Sequence, residues 1–451
     1  MEQKNLLFSK EALNKLIRPL VVEQVLAVAV GMIDVIMIAS VGEAAVSGVS
    51  LVDNVSILLI GLFGALATGG AVVAGQYLGQ KDEKNACKAA NQLILFILVS
   101  SLLIMGVYLL GKDFILTRVF GQIDADVKEA ANTYLIITAL SIPPLALYNG
   151  GAALFRAMGN SKVTMWISLI MNIINGIGNA ILIYLVHIGV AGAAIATTLA
   201  RLVAAVIIMV MIFNKKHVIH LDRQFEFRFH KKMIRRILFI GVPNGLENSI
   251  FQLGKILILS LVSACGTYAI AANAVAGNVA ILNVIPGNAL SLALLSVASV
   301  CVGAGDFEQV KYYTKKLMIK IHIYMSIISF VLILFAPLIV QMYQLSDQAA
   351  EATKTLIYWH AVCAALFWPE SFVLPNTLRA SNDVKFTMTL SIFSMWVFRI
   401  GFSYLFVKVL DLNIVGVWIA MIIDWLFRAI VFVIRFVKGT WKEKYIAERN
   451  G

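Results

Sequence analysis

Long apolar runs alternate with short polar punctuation along almost the whole chain. About twelve runs reach the roughly 20 residues that a helix needs to cross a bilayer. They fall at about 16–40, 51–77, 89–110, 130–154, 163–186, 189–213, 237–264, 274–300, 317–341, 353–378, 386–408 and 412–434. Each run is apolar on every side rather than at every second position, which predicts helices and excludes the strands of a membrane barrel. The fold class expected is therefore an all-α polytopic membrane protein. Composition agrees: of 451 residues 60% are hydrophobic and 14% charged, and the mean hydropathy is +0.87. A soluble body of that length would carry far more charged surface. An ordinary cytosolic enzyme, a secreted disulfide scaffold and a disordered chain are excluded on that ground. The first run follows Glu2, Lys4, Lys10, Glu11, Lys15 and Arg18, and no small-residue cleavage site succeeds it. It reads as a retained first helix rather than a signal peptide.

The net charge of +12 changes the picture only through its placement. When loops are alternated from a cytoplasmic N-terminus, the inner set holds 28 Lys and Arg and the outer set 5. The positive-inside rule produces such a bias, so both termini are expected in the cytoplasm and no nucleic-acid partner is needed. The four cysteines (Cys87, Cys265, Cys301 and Cys363) are scattered and read as small hydrophobes. His217 and His220 form an HxxH in a basic loop with no third ligand nearby, which reads as a solvated loop rather than a metal site.

The chain overlies itself at a shift of 224 residues. Pro19-x-x-x-Glu23-Gln24 then falls on Pro243-x-x-x-Glu247-Asn248, and Gly42 and Ala45 on Gly266 and Ala269. Gly79-x-x-Asp82 falls on Gly303-x-x-Asp306, and Gly192 and Ala196 on Gly416 and Ala420. At a shift of 223, the segment from Arg156 to Met165 falls on that from Arg379 to Met388. Two pseudo-symmetric six-helix bundles follow. An even number of spans in each makes them parallel repeats about an axis along the membrane normal. The division predicted is 1–213 for the first lobe (helices 1–6), 214–236 for a basic cytoplasmic linker, and 237–451 for the second lobe (helices 7–12) with a cytoplasmic tail. The linker carries Phe225, Phe227, Arg228 and Phe229 and reads either as an interfacial segment beside anionic headgroups or as a solvated loop. Pro143-Pro144 in the fourth span, Pro286 in the eighth, and Pro369 and Pro375 in the tenth predict kinks.

Charges inside a bilayer are costly, and those that persist are usually paired or functional. Asp34 lies among Met32, Ile33, Val35, Ile36, Met37 and Ile38, with no basic residue within a turn. It reads as a carboxylate that is paired with a distant helix or kept protonated, or as one that binds a coupling cation. Asn175 and Asn179 share one face of the fifth span, and Thr197 and Thr198 lie in the sixth. Neutral oxygens around one carboxylate form a hard, oxygen-only cage suited to sodium. A protonated Asp34 bonded to the same amides would serve a proton-coupled pump. Without Asp34, Asn and Thr would read simply as interhelical hydrogen bonders. In the second half Glu247, Lys255, Arg399, Asp424 and Arg428 are intramembrane. Arg399, Asp424 and Arg428 read mostly as a structural charge network. Glu247 is assigned to a cationic substrate ahead of its repeat mate Glu23, which has Arg18 near it. Met32, Met37, Phe367, Trp368 and Phe372 would suit a plastic, aromatic cleft for amphipathic cations, and equally a lipid-facing surface.

Several features together resemble the multidrug and toxic compound extrusion (MATE) family over nearly the whole chain. They are the doubled six-span plan, Asp34 followed eight residues later by Gly42, Gln76-x-x-Gly79, and Leu154-x-Arg156-Ala-x-Gly-Asn. Asn175-x-x-x-Asn179 and Gly189-x-x-Gly192-Ala-Ala-x-Ala-Thr197 complete the set. The resemblance implies a two-lobed, V-shaped antiporter, not an enzyme, that exports organic cations or drugs in exchange for inward sodium or protons. It implies a cation-coupling site, for sodium if sodium is the coupling ion, at Asp34, Asn175, Asn179 and Thr197. Substrate contacts are assigned to Glu247, Lys255, Met32 and Glu370. No cofactor is expected beyond the coupling ion. The partners are small organic cations and the lipid bilayer, the functional unit is a single chain, and the location is a bacterial inner membrane. Two departures stand out. Many relatives have an aspartate where this chain has Asn179, and the seventh span has Phe251 where part of the family has an acid. Near the usual tenth-span acid the chain offers Glu370, displaced by about two residues. A lipid-linked oligosaccharide flippase of the same superfamily would share the fold, with a cationic cavity for which Lys255 and Arg399 are candidates. A major facilitator transporter would carry a charged loop motif that Gln80-Lys81-Asp82-Glu83-Lys84 does not resemble. A membrane enzyme would need a clustered motif, and no Walker loop, HExxH or GxSxG is present.

Overall fold

The computed structural model describes residues 6–121, 123–222 and 227–450, with side chains as far as 446. All the long regular elements among them are helices. The first half contains α1 (Lys10–Ala39), α2 (Glu43–Gly79), α3 (Glu83–Leu110), α4 (Ala125–Ala139), α5 (Ile142–Ala157), α6 (Ser161–Leu185) and α7 (Gly189–Ile212). The second half contains α8 (Lys231–Ser263), α9 (Thr267–Gly303), α10 (Phe307–Met342), α11 (Asp347–Ala380), α12 (Val384–Lys408), α13 (Asn413–Lys438) and the short α14 (Thr440–Asn450). Eleven of these are long and apolar enough to cross a membrane, and the bent pair α4 and α5 brings the number to twelve.

The expected fourth span is broken by a 51° bend between Ala139 and Ile142. Pro143 and Pro144 occupy the first turn of α5, where a missing N–H has no intrahelical partner to lose. They start a new helix. Pro286 starts no new helix: it lies inside α9, which runs from Thr267 to Gly303. Pro369 opens a π-helical turn, Pro369–Val373, inside α11. Several helices begin well before their apolar run. α2 starts at Glu43 rather than about 51, because Ser47, Ser50, Asp53 and Asn54 lower the hydropathy of turns that are helical all the same.

The repeat survives in the caps. Gly42 and Gly266 stand before α2 and α9 with φ of 136° and 101°, a conformation that side chains resist. Asp82 accepts from the Asn85 N–H at 3.0 Å and Asp306 from the Gln309 N–H at 3.0 Å, so one capping arrangement starts both α3 and α10.

Two compact units emerge, and their boundary falls inside α8. One comprises Ser9–Gly245; the other comprises Leu246–Gly451 and takes the described residues 6–8 as well. The stretch 214–236, expected as a linker, and 237–245, expected at the start of the second lobe, thus go with the first unit. In the first unit the interior of α2 and α7 is dominated by small side chains, among them Ala67, Ala71, Ala74, Ala194 and Ala204. Larger residues such as Leu102, Leu103, Val107 and Val210 point outward. In lipid there is no hydrophobic drive between helices, so close backbone approach through small residues is what associates them. Gly69 shows the limit: a Cβ there would collide with the Ile237 carbonyl and the Gly241 backbone of α8. Gln92, fully buried on α3, donates to the Arg228 carbonyl at 2.9 Å and accepts from the His230 N–H at 2.8 Å, which ties down the end of the basic stretch. Arg223 and Phe225 of that stretch lie outside the described residues. In the second unit, Leu261, Ala272, Leu356, Ile414 and Trp418 share one core, where Trp418 donates its indole N–H to Asn273 at 3.0 Å. Leu7 and Phe8 are tied to the same unit by Gln309 and by the Tyr313 hydroxyl, which both accepts from and donates to Phe8.

Candidate functional site

In the first unit, α1 carries Asp34 into its last turns, about 36 Å along the helix at 1.5 Å per residue. Asn175 and Asn179 sit one above the other on α6 and meet it from the side. The Asn175 amide donates to Asp34 Oδ2 at 2.7 Å and the Asn179 amide to Oδ1 at 2.9 Å. A carboxylate accepts only, so these contacts fix which way both amides point. The Asn175 Oδ1 then accepts from the Thr197 hydroxyl of α7 at 3.2 Å. The Asn179 Oδ1 is buried and has no partner. All four residues assigned to cation coupling are therefore brought together by three helices. Asp34 has no contact ion pair among the described residues; its two side-chain hydrogen bonds both come from amides. Such charge-assisted bonds are worth about 1.5–3 kcal/mol each.

Beside this cage lies a cavity of about 130 Å³, lined among others by Asp34, Asn179, Thr197, Ser50, Asp53 and Tyr134. Asp53 is the functional-looking residue that sequence reasoning missed. Val46, Val49, Ser50 and Asp53 recur at helical spacing and share the face of α2 turned to the cavity. An apolar run judged to begin at about 51 left Asp53 at its very edge. Moving the helix start to Glu43 sets it three turns inside. Arg201 of α7 completes the charged set. It follows Thr197 by one turn on the same helix, and its Nη1 donates to Ser141 Oγ at 2.7 Å, at the break between α4 and α5.

The second unit has no copy of this site. A shift of 224 from Asp34 lands on Ile258. Its buried charges are spent on one another instead. Glu247, expected to face a cationic substrate, has Oε2 bonded to Arg379 at 2.8 Å and Oε1 at 3.7 Å from Arg428. Its charge is thus balanced within the unit. The expected Arg399–Asp424–Arg428 triad divides. Arg399 lies 3.7 Å from Asp424, whereas Arg428 turns to Glu247 and to the Ser371 carbonyl at 3.1 Å. Phe251 joins the two pairs, with its ring 5.2 Å from the Arg399 guanidinium and 5.7 Å from that of Arg428. Glu23, expected beside Arg18, instead lies 3.5 Å from Arg156 and accepts from Thr164 at 2.7 Å. Glu23–Arg156 and Glu247–Arg379 are the same ion pair in the two repeats. Both members were visible as repeat mates, but nothing in the sequence joined them.

Glu370 is re-aimed by the π-helical turn that Pro369 opens. Its Oε1 lies 2.7 Å from His322 Nε2 of α10, and its Oε2 is buried without a partner. His322 Nδ1 faces the Ala365 carbonyl at 2.7 Å, an acceptor, so Nδ1 carries a proton. One more proton lies between Nε2 and Glu370. Met32 is half-exposed and does not line the cavity, and Lys255 is exposed with its Nζ 5.7 Å from the Phe251 ring. Among the described residues no group of three or more His, Cys, Asp and Glu is arranged to hold a metal, and all four cysteines are free.

The profile of the MatE family matches the chain twice, over residues 19–181 and 243–405. The two matches cover most of the chain and start 224 residues apart (19 against 243), the same shift at which the sequence overlies itself. The chain belongs to the MatE family. It is a MATE transporter with the all-helical fold of that family, in two copies of one unit. The uncharacterized transporter YisQ of Bacillus subtilis is 26% identical over 435 residues, covering 95% of this chain and 94% of that protein. A probable multidrug resistance protein NorM of Thermotoga maritima is 22% identical, covering 98% and 95%. A crystal structure of a MATE protein in the bent conformation superposes with a TM-score of 0.88 at 22% identity, covering 97% of both chains. The hydrogen bonds that join Asp34, Asn175, Asn179 and Thr197, the cavity that adds Asp53, and the His322–Glu370 pair are features of this chain's own geometry.

Proposed function

We propose that this MATE transporter exports organic cations or drugs in exchange for inward sodium or protons, with coupling at Asp34 in the first unit. The observation that carries the reading is the state of Asp34. It is a carboxylate in a membrane span with two amide donors, no counter-ion in contact, and an open cavity beside it. Such a group gains from binding a cation and has nothing to break first. The unpartnered Asn179 Oδ1 favours sodium over a proton, since a metal cation would use an oxygen that protonation of Asp34 leaves idle.

Expelling a cation against an inside-negative potential costs about 2.3 kcal/mol per charge per 100 mV, and one ion moving inward can supply that. Coupling requires ion and drug to prefer different conformations, because a ligand with equal affinity for both shifts nothing. Occupancy of Asp34 draws on α1, α6 and α7 together, so filling and emptying the site changes how those helices hold one another. Multidrug relatives such as the Thermotoga maritima NorM support the substrate class. The test is efflux of ethidium, a cationic dye, from proteoliposomes under an imposed sodium gradient, and then under a proton gradient alone. Asp34→Asn should abolish the gradient-driven component while inserting normally. Undiminished driven efflux by that variant removes Asp34 from the mechanism.

A further inference from the structure

The cavity beside Asp34 holds a second carboxylate, and a cation lies one turn away. Asp53 reaches the cavity from α2, and Arg201 follows the cavity-lining Thr197 by four residues on α7, on the same side of that helix. Arg201 closes no contact ion pair with either of them among the described residues. Its Nη1 donates to Ser141 Oγ at 2.7 Å, and that hydroxyl in turn donates to the Thr138 carbonyl at 2.6 Å. With both acids ionised, two carboxylates and one guanidinium give the region one net negative charge. Into the same cavity faces Asn179, 1% exposed, with its Oδ1 unpartnered. Ser50, Thr197 and Tyr134 supply further oxygens, and the donor set contains no nitrogen or sulfur. The volume of about 130 Å³ accommodates a cation with part of its water shell.

We propose that Asp53 and Arg201 together set the charge of this site, making it a seat for one monovalent hard cation, sodium, with Asp53 as the second carboxylate facing it. This rests on the reading of Asp34 as the coupling acid and adds what decides its selectivity. With one net negative charge, a monovalent ion leaves the buried region neutral. A divalent ion would leave it positive, and removing Asp53 would leave a bound monovalent ion in excess by one charge, so that Asp34 holds it more weakly. Arg201 acts in the opposite sense: it cancels one acid and keeps the site from taking a second cation.

The experiment measures sodium-dependent thermal stabilisation of the purified full-length chain in detergent, with choline replacing sodium at constant ionic strength. Asp53→Asn should raise the half-saturating sodium concentration by about tenfold or more, although all four residues of the Asp34 cage remain. Arg201→Gln should lower it by about threefold or more and let calcium compete. The double variant should return to within about threefold of the unmodified protein. A purely structural pair would make both single variants worse, so opposite signs carry the inference. Shifts of the same sign, or an Asp53→Asn variant indistinguishable from the unmodified protein, overturn it. If Asp53→Asn does not survive extraction, tightening by Arg201→Gln and its reversal in the double variant decide in favour, and loss in both decides against. A sodium response that persists in Asp34→Asn, or none in the unmodified protein, overturns the Asp34 reading and this inference with it.

Discussion

Glu247 illustrates how a buried acid that looks available in sequence can be fully committed. Arg379 and Arg428 hold both of its oxygens, and it is 6% exposed. Removing one member of a buried ion pair leaves the other charged and unpaired, at a cost of about 3–5 kcal/mol. Glu247→Ala is therefore expected to lower thermal stability in detergent markedly, because it strands two arginines. Glu23→Ala should cost less, since Glu23 faces one arginine at 3.5 Å and that arginine is partly solvated. Differential scanning fluorimetry of the two variants checks the order, and equal losses would contradict it. Asp34 was legible because its apolar neighbours isolate it along the chain. Asp53 was not: its neighbours are Ser, Asn and Val, and only three-dimensional proximity to Asp34 gives its charge a meaning.

The helices divide into parts that local chemistry dictates and parts that it does not. Caps belong to the first kind. Hydrogen bonds from the Asn85 side chain and backbone hold the Asp82 carboxyl below its ordinary value of 3.8. A depressed value contributes stability above the ordinary carboxylate range, and that contribution is lost as pH falls through the folded value. Amide exchange in the first turn of α3 is thus expected to accelerate below about pH 4. In Asp82→Ala it should be fast at all pH values, with an overall cost of about 1 kcal/mol. Hydrogen-exchange mass spectrometry of α3 tests this, and a first turn indifferent to both changes would refute it. Bends belong to the second kind. Pro143 and Pro286 are both prolines in apolar runs, yet one begins a helix after a 51° bend and the other lies in an unbroken helix. Both removed a backbone donor. Whether the chain breaks there depends on neighbouring partners, such as the Arg201–Ser141 bond at the α4/α5 junction, which a sequence does not display.

For the molecule as a whole, the division of the chain into two units lies within α8 rather than in the basic stretch before it. Residues 231–245 follow that stretch in sequence but pack with α2, where Gly69 meets Ile237 and Gly241. A chain split between Asp222 and Phe227 and expressed as two pieces should therefore co-purify, since the second piece carries a segment that completes the first unit. Affinity capture on a tag at either end checks this, and separation of the pieces would contradict it. The sequence by itself determined the membrane class, the apolar spans and the doubling at a shift of 224, which local hydropathy and the repetition of whole segments carry. It pointed to Asp34, Asn175, Asn179 and Thr197 as a group through its resemblance to the MATE family. Only the tertiary structure decided that Glu23 meets Arg156 and Glu247 meets Arg379, that Glu370 turns to His322, and that Asp53 and Arg201 stand beside Asp34. In a chain this apolar, large apolar side chains lie both inside, as Phe63 and Phe155 do, and outside, as Leu103 and Val210 do. Hydropathy therefore does not mark which side of a helix is buried, and which polar groups meet is settled only when backbones close on one another.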